Sequence, residues 1–180
     1  MSEVAFLPAS IVDAPTLAGL VRLLRDVVGA GASVGFLAPL DAQHARTYWE
    51  GVAADPAVLL WIATVDGEVA GSIQLAPCFK PNGRHRADLQ KLIVGPAFRG
   101  RGLARKLLDA VEREAQARGI SLLVLDTEED SDAEHIYPHL GWTRVGRIPE
   151  YATQPDGTLI ATVYFYKLLP TRTSKDHVGA

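Results

Sequence analysis

The sequence predicts one domain of mixed α/β class, in which seven strands and about four helices alternate. Short apolar runs rich in β-branched residues are interleaved with amphipathic helical patterns along the 180 residues. Asp66 and Gly67 separate two such runs, and this dipeptide favours the type I′ turn of an antiparallel hairpin. The stretch 91–119 passes from an apolar run through a Gly- and Arg-rich turn into a helical pattern. Together these observations predict a sheet with helices packed on it.

Seven runs have the β-branched content and the flanking turn residues of strands. They are Val4–Leu7, Val58–Val65, Glu68–Leu75, Ala87–Val94, Leu122–Asp126, Thr143–Ile148 and Leu159–Leu169. Between the last two, residues 149–157 carry two prolines and a Pro-Asp-Gly turn signal, which predict an irregular loop.

Four segments have helical periodicity. They run from Asp13 to Val28, from Asp41 to Ala54, from Leu103 to Gly119 and from Ala133 to Leu140. Asp13, followed by Ala-Pro, can cap and start the first helix, and Gly141 is the residue type that follows a helix end. The third helix is the best defined, because five apolar residues fall on one face: Leu103, Leu107, Leu108, Val111 and Ala115.

The chain carries a formal net charge of −3, which gives no electrostatic basis for binding nucleic acid or an anionic membrane surface. No apolar run approaches the length that spans a bilayer, and the N-terminal residues lack a basic segment followed by an apolar core. We therefore expect a cytoplasmic protein with a small-molecule partner and no membrane association. The domain is predicted to occupy residues 1–170, followed by a flexible polar tail at 171–180.

The turn before the third helix has the features of a site for a phosphorylated ligand. No Ser, Thr, Asp or Asn in residues 95–108 can cap this helix, so its first N–H groups are left free. Gly100 and Gly102 allow the backbone to approach a ligand closely, and Arg99 and Arg101 add positive charge. With the helix dipole, these features favour a pyrophosphate. A Walker loop and a dinucleotide fingerprint are excluded, because neither Gly-Lys-Ser/Thr nor the required third glycine is present.

Arg99 to Ala104 reads Arg-x-x-Gly-x-Ala and follows a strand that ends in Val-x-Pro. This sequence resembles the coenzyme-A-binding motif of the Gcn5-related N-acetyltransferase (GNAT) superfamily, and the predicted order β-α-α-β-β-β-α-β-α-β-β is similar to that of its fold. The resemblance implies a mostly antiparallel sheet, splayed between its fourth and fifth strands, and acetyl-CoA as co-substrate. The coenzyme-binding residues that it implies are Leu92, Ile93, Val94, Arg99, Gly100, Arg101, Gly102, Leu103 and Ala104.

The same resemblance supplies candidates for catalysis. Tyr137 matches the position of a tyrosine near the coenzyme sulfur, where a phenol with a pKa of about 10 can protonate a thiolate. Packing in the core is its alternative role. Asp126 and Asp88 lie on the two splayed strands, where a carboxylate could take a proton from an acceptor amine. Their alternative roles are a turn cap for Asp126, and an ion pair with Arg84 or Arg86 for Asp88.

The resemblance implies direct acetyl transfer to the amine of a small amino-acid-like, antibiotic-like or toxin-like molecule. Gly31–Phe36 and Lys80–Gly83 resemble loops of a family member that inactivates an amino-acid-like toxin, and with residues 149–157 they are expected to form the acceptor pocket. A polyamine, which the acidic run after Asp126 would favour, and a protein N-terminus are alternative acceptors. A non-catalytic acyl-CoA-binding module is an alternative of another class. No metal is expected, because two histidines four residues apart in the fourth helix have no third ligand in view. The sequence is compatible with a homodimer.

Overall fold

The computed structural model describes residues 2–7 and 12–170. Its strands are β1 (Ser2–Leu7), β2 (Leu59–Val65), β3 (Glu68–Pro77), β4 (Arg86–Val94), β5 (Leu122–Glu128), β6 (Thr143–Thr153) and β7 (Leu159–Leu168). Its α-helices are α1 (Ala14–Gly29), α2 (Ala42–Ala54), α3 (Leu103–Ala117) and α4 (Asp132–His139). The predicted order of strands and helices is confirmed. The predicted tail at 171–180 lies outside the described residues.

Local sequence signals set the ends of several elements. Asp13 caps α1 by accepting a hydrogen bond from the backbone N–H of Thr16 at 2.9 Å, and Asp41 caps α2 in the same way. Asp66 and Gly67 have φ angles of 51° and 84°. Both therefore adopt the left-handed conformation that a type I′ turn requires, and the predicted β2–β3 hairpin is confirmed.

The seven strands form one sheet in the order β1-β2-β3-β4-β5-β7-β6. Every neighbouring pair is antiparallel except β4 and β5, which are parallel. That pair is joined over three residues only, Arg86–Asp88 of β4 and Leu122–Val124 of β5. Beyond these residues the two strands have no pairing with each other, so the sheet opens between them. The predicted mostly antiparallel, splayed sheet is confirmed.

Helices cover both faces of the sheet. On one face, α1 and α2 pack against buried residues such as Leu60 and Ile62. On the other face, α3 and α4 pack against residues such as Leu123 and Phe165. The five apolar residues predicted to form one face of α3 are all buried. This packing holds the start of α3 beside the opening in the sheet. None of the helices in residues 2–7 and 12–170 combines the length and the apolar content that a membrane span requires.

Strand β6 is longer than the sequence predicts, and the expected loop at 149–157 is wrong in its first part. The ladder between β6 and β7 is irregular between Ile148 and Ala152 and then resumes up to residue 153. Pro149 has no backbone N–H, and Glu150 has a φ of 53°, so both interrupt the regular strand pattern. The pairing with β7, which only the tertiary structure supplies, continues the strand past this bulge.

Candidate active site

The divergence of β4 and β5 opens a large cavity at the centre of the sheet. Its walls come from the second half of β4, the second half of β5, the start of α3 and the cavity-facing side of α4. Residues 30–37, which follow α1, and residues 151–153 of β6 also border it. Segments that are distant in sequence therefore meet around one space.

One part of the cavity is formed by the turn that leads into α3. Gly102 precedes the helix with a φ of 70°, and no side chain caps the helix start. The N–H groups of residues 100–105 donate no hydrogen bond to another described residue, whereas the N–H of Lys106 donates to the Gly102 carbonyl at 3.1 Å. A row of free N–H groups at the positive end of a helix dipole fits the pyrophosphate of a coenzyme.

Eight of the nine predicted coenzyme-binding residues border this cavity, namely Leu92, Ile93, Val94, Arg99, Gly100, Gly102, Leu103 and Ala104. The exception is Arg101, whose guanidinium carbon lies 5.6 Å from the ring centroid of Phe98. Arg105 borders the cavity, although the sequence reasoning did not select it. The sequence feature that could have identified Arg105 is its position in the first turn of the predicted third helix. Arg99 and Arg105 are therefore the arginines that border the cavity, and Arg105 Nε also lies 3.5 Å from Asp109 Oδ1 on α3.

Strand β4 has a free edge along the cavity. Beyond Asp88 its β5-facing side has no strand partner. Its other side pairs with β3, where the register shifts between Ser72 and Gln74, so β4 contains one extra residue at this point. Lys91 lies at this bulge with a φ of 50°. Residues 92–94, which the GNAT resemblance implies as coenzyme-binding, lie along this free edge, where outward-facing N–H groups could stabilise an oxyanion.

Tyr137 lies on α4 at the cavity wall and is 6% exposed. Its ring centroid is 5.8 Å from that of Trp142 and 5.5 Å from that of Phe165. Among the described residues, its hydroxyl has no hydrogen-bond partner. Burial and the nearby charge of Asp126 raise the pKa of Tyr137, so the phenol keeps its proton at neutral pH. The ring is therefore packed in the core, as its alternative role predicts, and the hydroxyl is available for the predicted role as a proton donor.

Asp126 borders the cavity just beyond the point at which β5 leaves β4. Its Oδ2 atom lies 2.9 Å from Thr162 Oγ1, whose single hydrogen is shared between this carboxylate and the Thr127 carbonyl oxygen at 2.8 Å. Asp88 is the last residue of β4 that pairs with β5, and it does not border the cavity. The structure therefore brings Asp126, and not Asp88, to the same cavity as Tyr137.

A family model described as the acetyltransferase (GNAT) family matches residues 29–142. The match includes the turn before α3, both splayed strands and Tyr137. The chain belongs to the GNAT acetyltransferase family. Acetyl-CoA is the co-substrate of this family, and the uncapped start of α3 suits its pyrophosphate.

Several GNAT relatives resemble this chain. An uncharacterized N-acetyltransferase of Azospirillum brasilense, encoded in the hisH-hisA intergenic region, is 41% identical over 106 residues, which cover 58% of this chain and 63% of that protein. The ribosomal protein bS18-alanine N-acetyltransferase of Haemophilus ducreyi is 38% identical over 73 residues, 40% of this chain and 50% of that protein. The chain thus matches less than two thirds of either relative's length. The structure of yncA from Salmonella typhimurium with its cofactor acetyl-CoA superposes with a TM-score of 0.75 at 19% identity, over 99% of both chains.

A second group of residues at this cavity surrounds Lys91. The sequence reasoning did not select Lys91 as a site residue. Lys91 Nζ lies 5.9 Å from the ring centroid of Phe36 and 5.7 Å from that of Tyr48. Tyr48 is held in place by Gln74, whose Nε2 donates to the tyrosine hydroxyl at 2.9 Å. Burial lowers the pKa of Lys91, and the charge of Asp126 acts in the opposite direction. The sequence gives no sign of this arrangement, because it depends on the bulge in β4.

The loops expected to form the acceptor pocket are only partly at the cavity. Gly31–Phe36 and residues 151–153 border it, whereas Lys80–Gly83 does not. Lys80–Gly83 precedes β4 and contains a single-turn 3-10 helix. That end of β4 is still paired with β5, so the loop is remote from the opening in the sheet.

Proposed function

We propose that this protein is an acetyl-CoA-dependent N-acetyltransferase that transfers the acetyl group directly to the amine of a small, amino-acid-like molecule. The observation that carries this proposal is the meeting of three features in one cavity: the uncapped start of α3, the Tyr137 hydroxyl and the Asp126 carboxylate. An anchor for the coenzyme, a proton donor and a proton acceptor are what amine acetylation needs.

The coenzyme is held mainly by backbone groups. The free N–H groups of residues 100–105 bind the pyrophosphate, and the guanidinium groups of Arg99 and Arg105 add charge. When bound, acetyl-CoA supplies an acetyl thioester. N–H groups alternate in direction along a strand, so those of residues 92–94 that face away from β3 are the donors for the acetyl oxygen as it becomes negatively charged.

Two side chains manage the protons of the reaction. Asp126 attracts the ammonium form of the acceptor and takes one proton from it, directly or through water, which leaves a neutral amine. The amine nitrogen bonds to the acetyl carbon, and the acetyl oxygen takes up the negative charge. The bond from that carbon to sulfur then breaks as the carbonyl re-forms, and the second proton on the nitrogen leaves to solvent, as does the proton held by Asp126. Tyr137 Oη gives its proton to the departing sulfur and is reprotonated from solvent. The raised pKa of Tyr137 means that the phenol is fully protonated at neutral pH and that it is a weaker acid than an ordinary tyrosine, so its position beside the departing sulfur has to favour the proton transfer.

The acceptor class is proposed from the groups around the cavity. Gly31–Phe36, which borders it, resembles the corresponding loop of the tabtoxin resistance protein, an enzyme that acts on an amino-acid-like toxin. A polyamine is less well supported, because two of the four carboxylates in the acidic run at residues 128–132 already have partners. Glu128 accepts from Gln154 Nε2 at 2.9 Å, and Glu129 is 2.6 Å from the Arg147 guanidinium. A protein N-terminus is the second candidate, favoured by the name of the Haemophilus ducreyi relative.

The test is a panel of amines incubated with acetyl-CoA and the protein, with release of free coenzyme thiol as the rate and mass spectrometry to identify the N-acetylated product. The panel contains amino acids, polyamines and short peptides with a free N-terminus. We expect product from amino acids and a loss of turnover in Tyr137→Phe. Coenzyme binding without thiol release from any amine would contradict the proposal and favour the non-catalytic module.

A further inference from the structure

Lys91 is a half-buried cation that makes no direct contact with an anionic side chain of the described residues. Among the residues that the structure describes, its ammonium makes neither a hydrogen bond nor a salt bridge, and its contacts are with the faces of Phe36 and Tyr48. An ammonium has three N–H donors, and two aromatic faces satisfy none of them by a conventional hydrogen bond. A charge taken partly out of water without a partner destabilises a fold. Apart from the charge of Asp126, which acts on Lys91 from a distance, no described residue balances this ammonium.

The surroundings of Lys91 hold this charge in place at the cavity. The bulge in β4 and the left-handed backbone of Lys91 remove this residue from the regular strand alternation. Gly35 faces the ammonium so closely that a Cβ atom added to it would lie 3.4 Å from Lys91 Nζ. The hydrogen bond from Gln74 fixes the Tyr48 ring. Lys91 and Asp126 both border the cavity, so it presents one cation and one carboxylate to a bound molecule.

We propose that Lys91 is a specificity-determining residue that binds an anionic group, a carboxylate, of the acceptor. An acceptor with a carboxylate close to its amine is complementary to this pair, since its ammonium meets Asp126 and its carboxylate meets Lys91. The inference rests on the proposed function and narrows its acceptor to amines that carry a carboxylate. The coenzyme is not the anion concerned, because its pyrophosphate is assigned to the free N–H groups before and within the first turn of α3.

The experiment compares acceptors with and without this charge, and the comparison between variants cancels the lower amine pKa of the esters. The standard amino acids and their methyl esters are assayed by thiol release with the wild-type protein, Lys91→Met and Lys91→Arg. Lys91→Met keeps the apolar stem and removes the charge, whereas Lys91→Arg keeps the charge. Lys80→Met is the matched control, because Lys80 is an exposed lysine away from the cavity.

We expect the wild-type protein to prefer an amino acid over its ester, and Lys91→Met to lower kcat/KM for the amino acid by roughly 10- to 100-fold, mainly through KM, the range for one charge-assisted hydrogen bond. The ester should lose less than about 3-fold, Lys91→Arg should restore part of the preference, and the KM for acetyl-CoA should not change. Equal losses for acid and ester, or no loss for either, would overturn the inference while amine acetylation itself still stood.

A protein that acetylates no amine would instead refute the proposed function. In that case calorimetric titration of the same amino acids and esters into the complex of the protein with coenzyme A decides the role of Lys91. Binding of the amino acid that is lost in Lys91→Met, and retained in Lys80→Met, would support the carboxylate site. Binding that is absent, or unaffected by Lys91→Met, would overturn it.

Discussion

Replacing Tyr137 by Phe should separate its packing role from its proposed role as a proton donor. The change removes one oxygen and keeps the ring that packs against Trp142 and Phe165 at centroid distances of 5.8 and 5.5 Å. The hydroxyl has no hydrogen-bond partner among the described residues, so its removal leaves no buried polar group without a hydrogen bond. We therefore expect the free energy of unfolding to change by less than about 0.5 kcal/mol. Losing a positioned acid should lower kcat by about 10²-fold, which corresponds to about 2.7 kcal/mol in the activation free energy.

The assay is steady-state thiol release at saturating acetyl-CoA, with coenzyme affinity measured separately by calorimetry. The affinity should not change. Because the pKa of Tyr137 is raised, its phenol stays protonated as the pH rises, so the wild-type rate should not fall near pH 10 through ionisation of this group. Tyr166→Phe, on β7 and away from the cavity, is the matched control. Turnover of Tyr137→Phe within about 3-fold of wild type would refute the reasoning and leave Tyr137 as a packing residue.

Three further changes test other parts of the structure. Gly102→Val should lower the affinity for coenzyme A at least ~10-fold in calorimetry. A β-branched residue at a φ of 70° is strained by ~1–3 kcal/mol, so the turn should leave the conformation that presents its N–H groups. An unchanged affinity would show that the pyrophosphate does not bind at this turn. Asp126→Asn should lower turnover by about 10²-fold at neutral pH, and its turnover should recover as the pH rises, because the amine then deprotonates unaided. Asp88→Asn should keep most of the wild-type turnover. Equal losses of turnover in the two variants would contradict the assignment of the base. Lys167→Met should lower the free energy of unfolding by ~1–3 kcal/mol in a urea titration, because Lys167 Nζ lies 2.7 Å from half-buried Glu112; an unchanged midpoint would show that this ion pair contributes nothing.

The sequence by itself determined the order of the elements and the start of the coenzyme site. Both depend on neighbours in the chain. The Asp66-Gly67 turn, the cap at Asp13 and the apolar face of α3 are local signals, and the structure has each of them as predicted. The free N–H groups before and within the first turn of α3 follow from the absence of a capping side chain between residues 95 and 108, which the letters show directly.

The tertiary structure alone decided which charged groups share the cavity. The sequence offers both Asp126 and Asp88 as candidate bases, with Asp126 first. The structure separates them, because the residues of β4 and β5 that border the opening all lie beyond the last β4–β5 pair. Lys91 was overlooked because a one-residue bulge, set by pairing with β3, changes its orientation, and its aromatic neighbours come from residues 36 and 48. Such placements depend on contacts between segments distant in sequence, and no local pattern of residues records them.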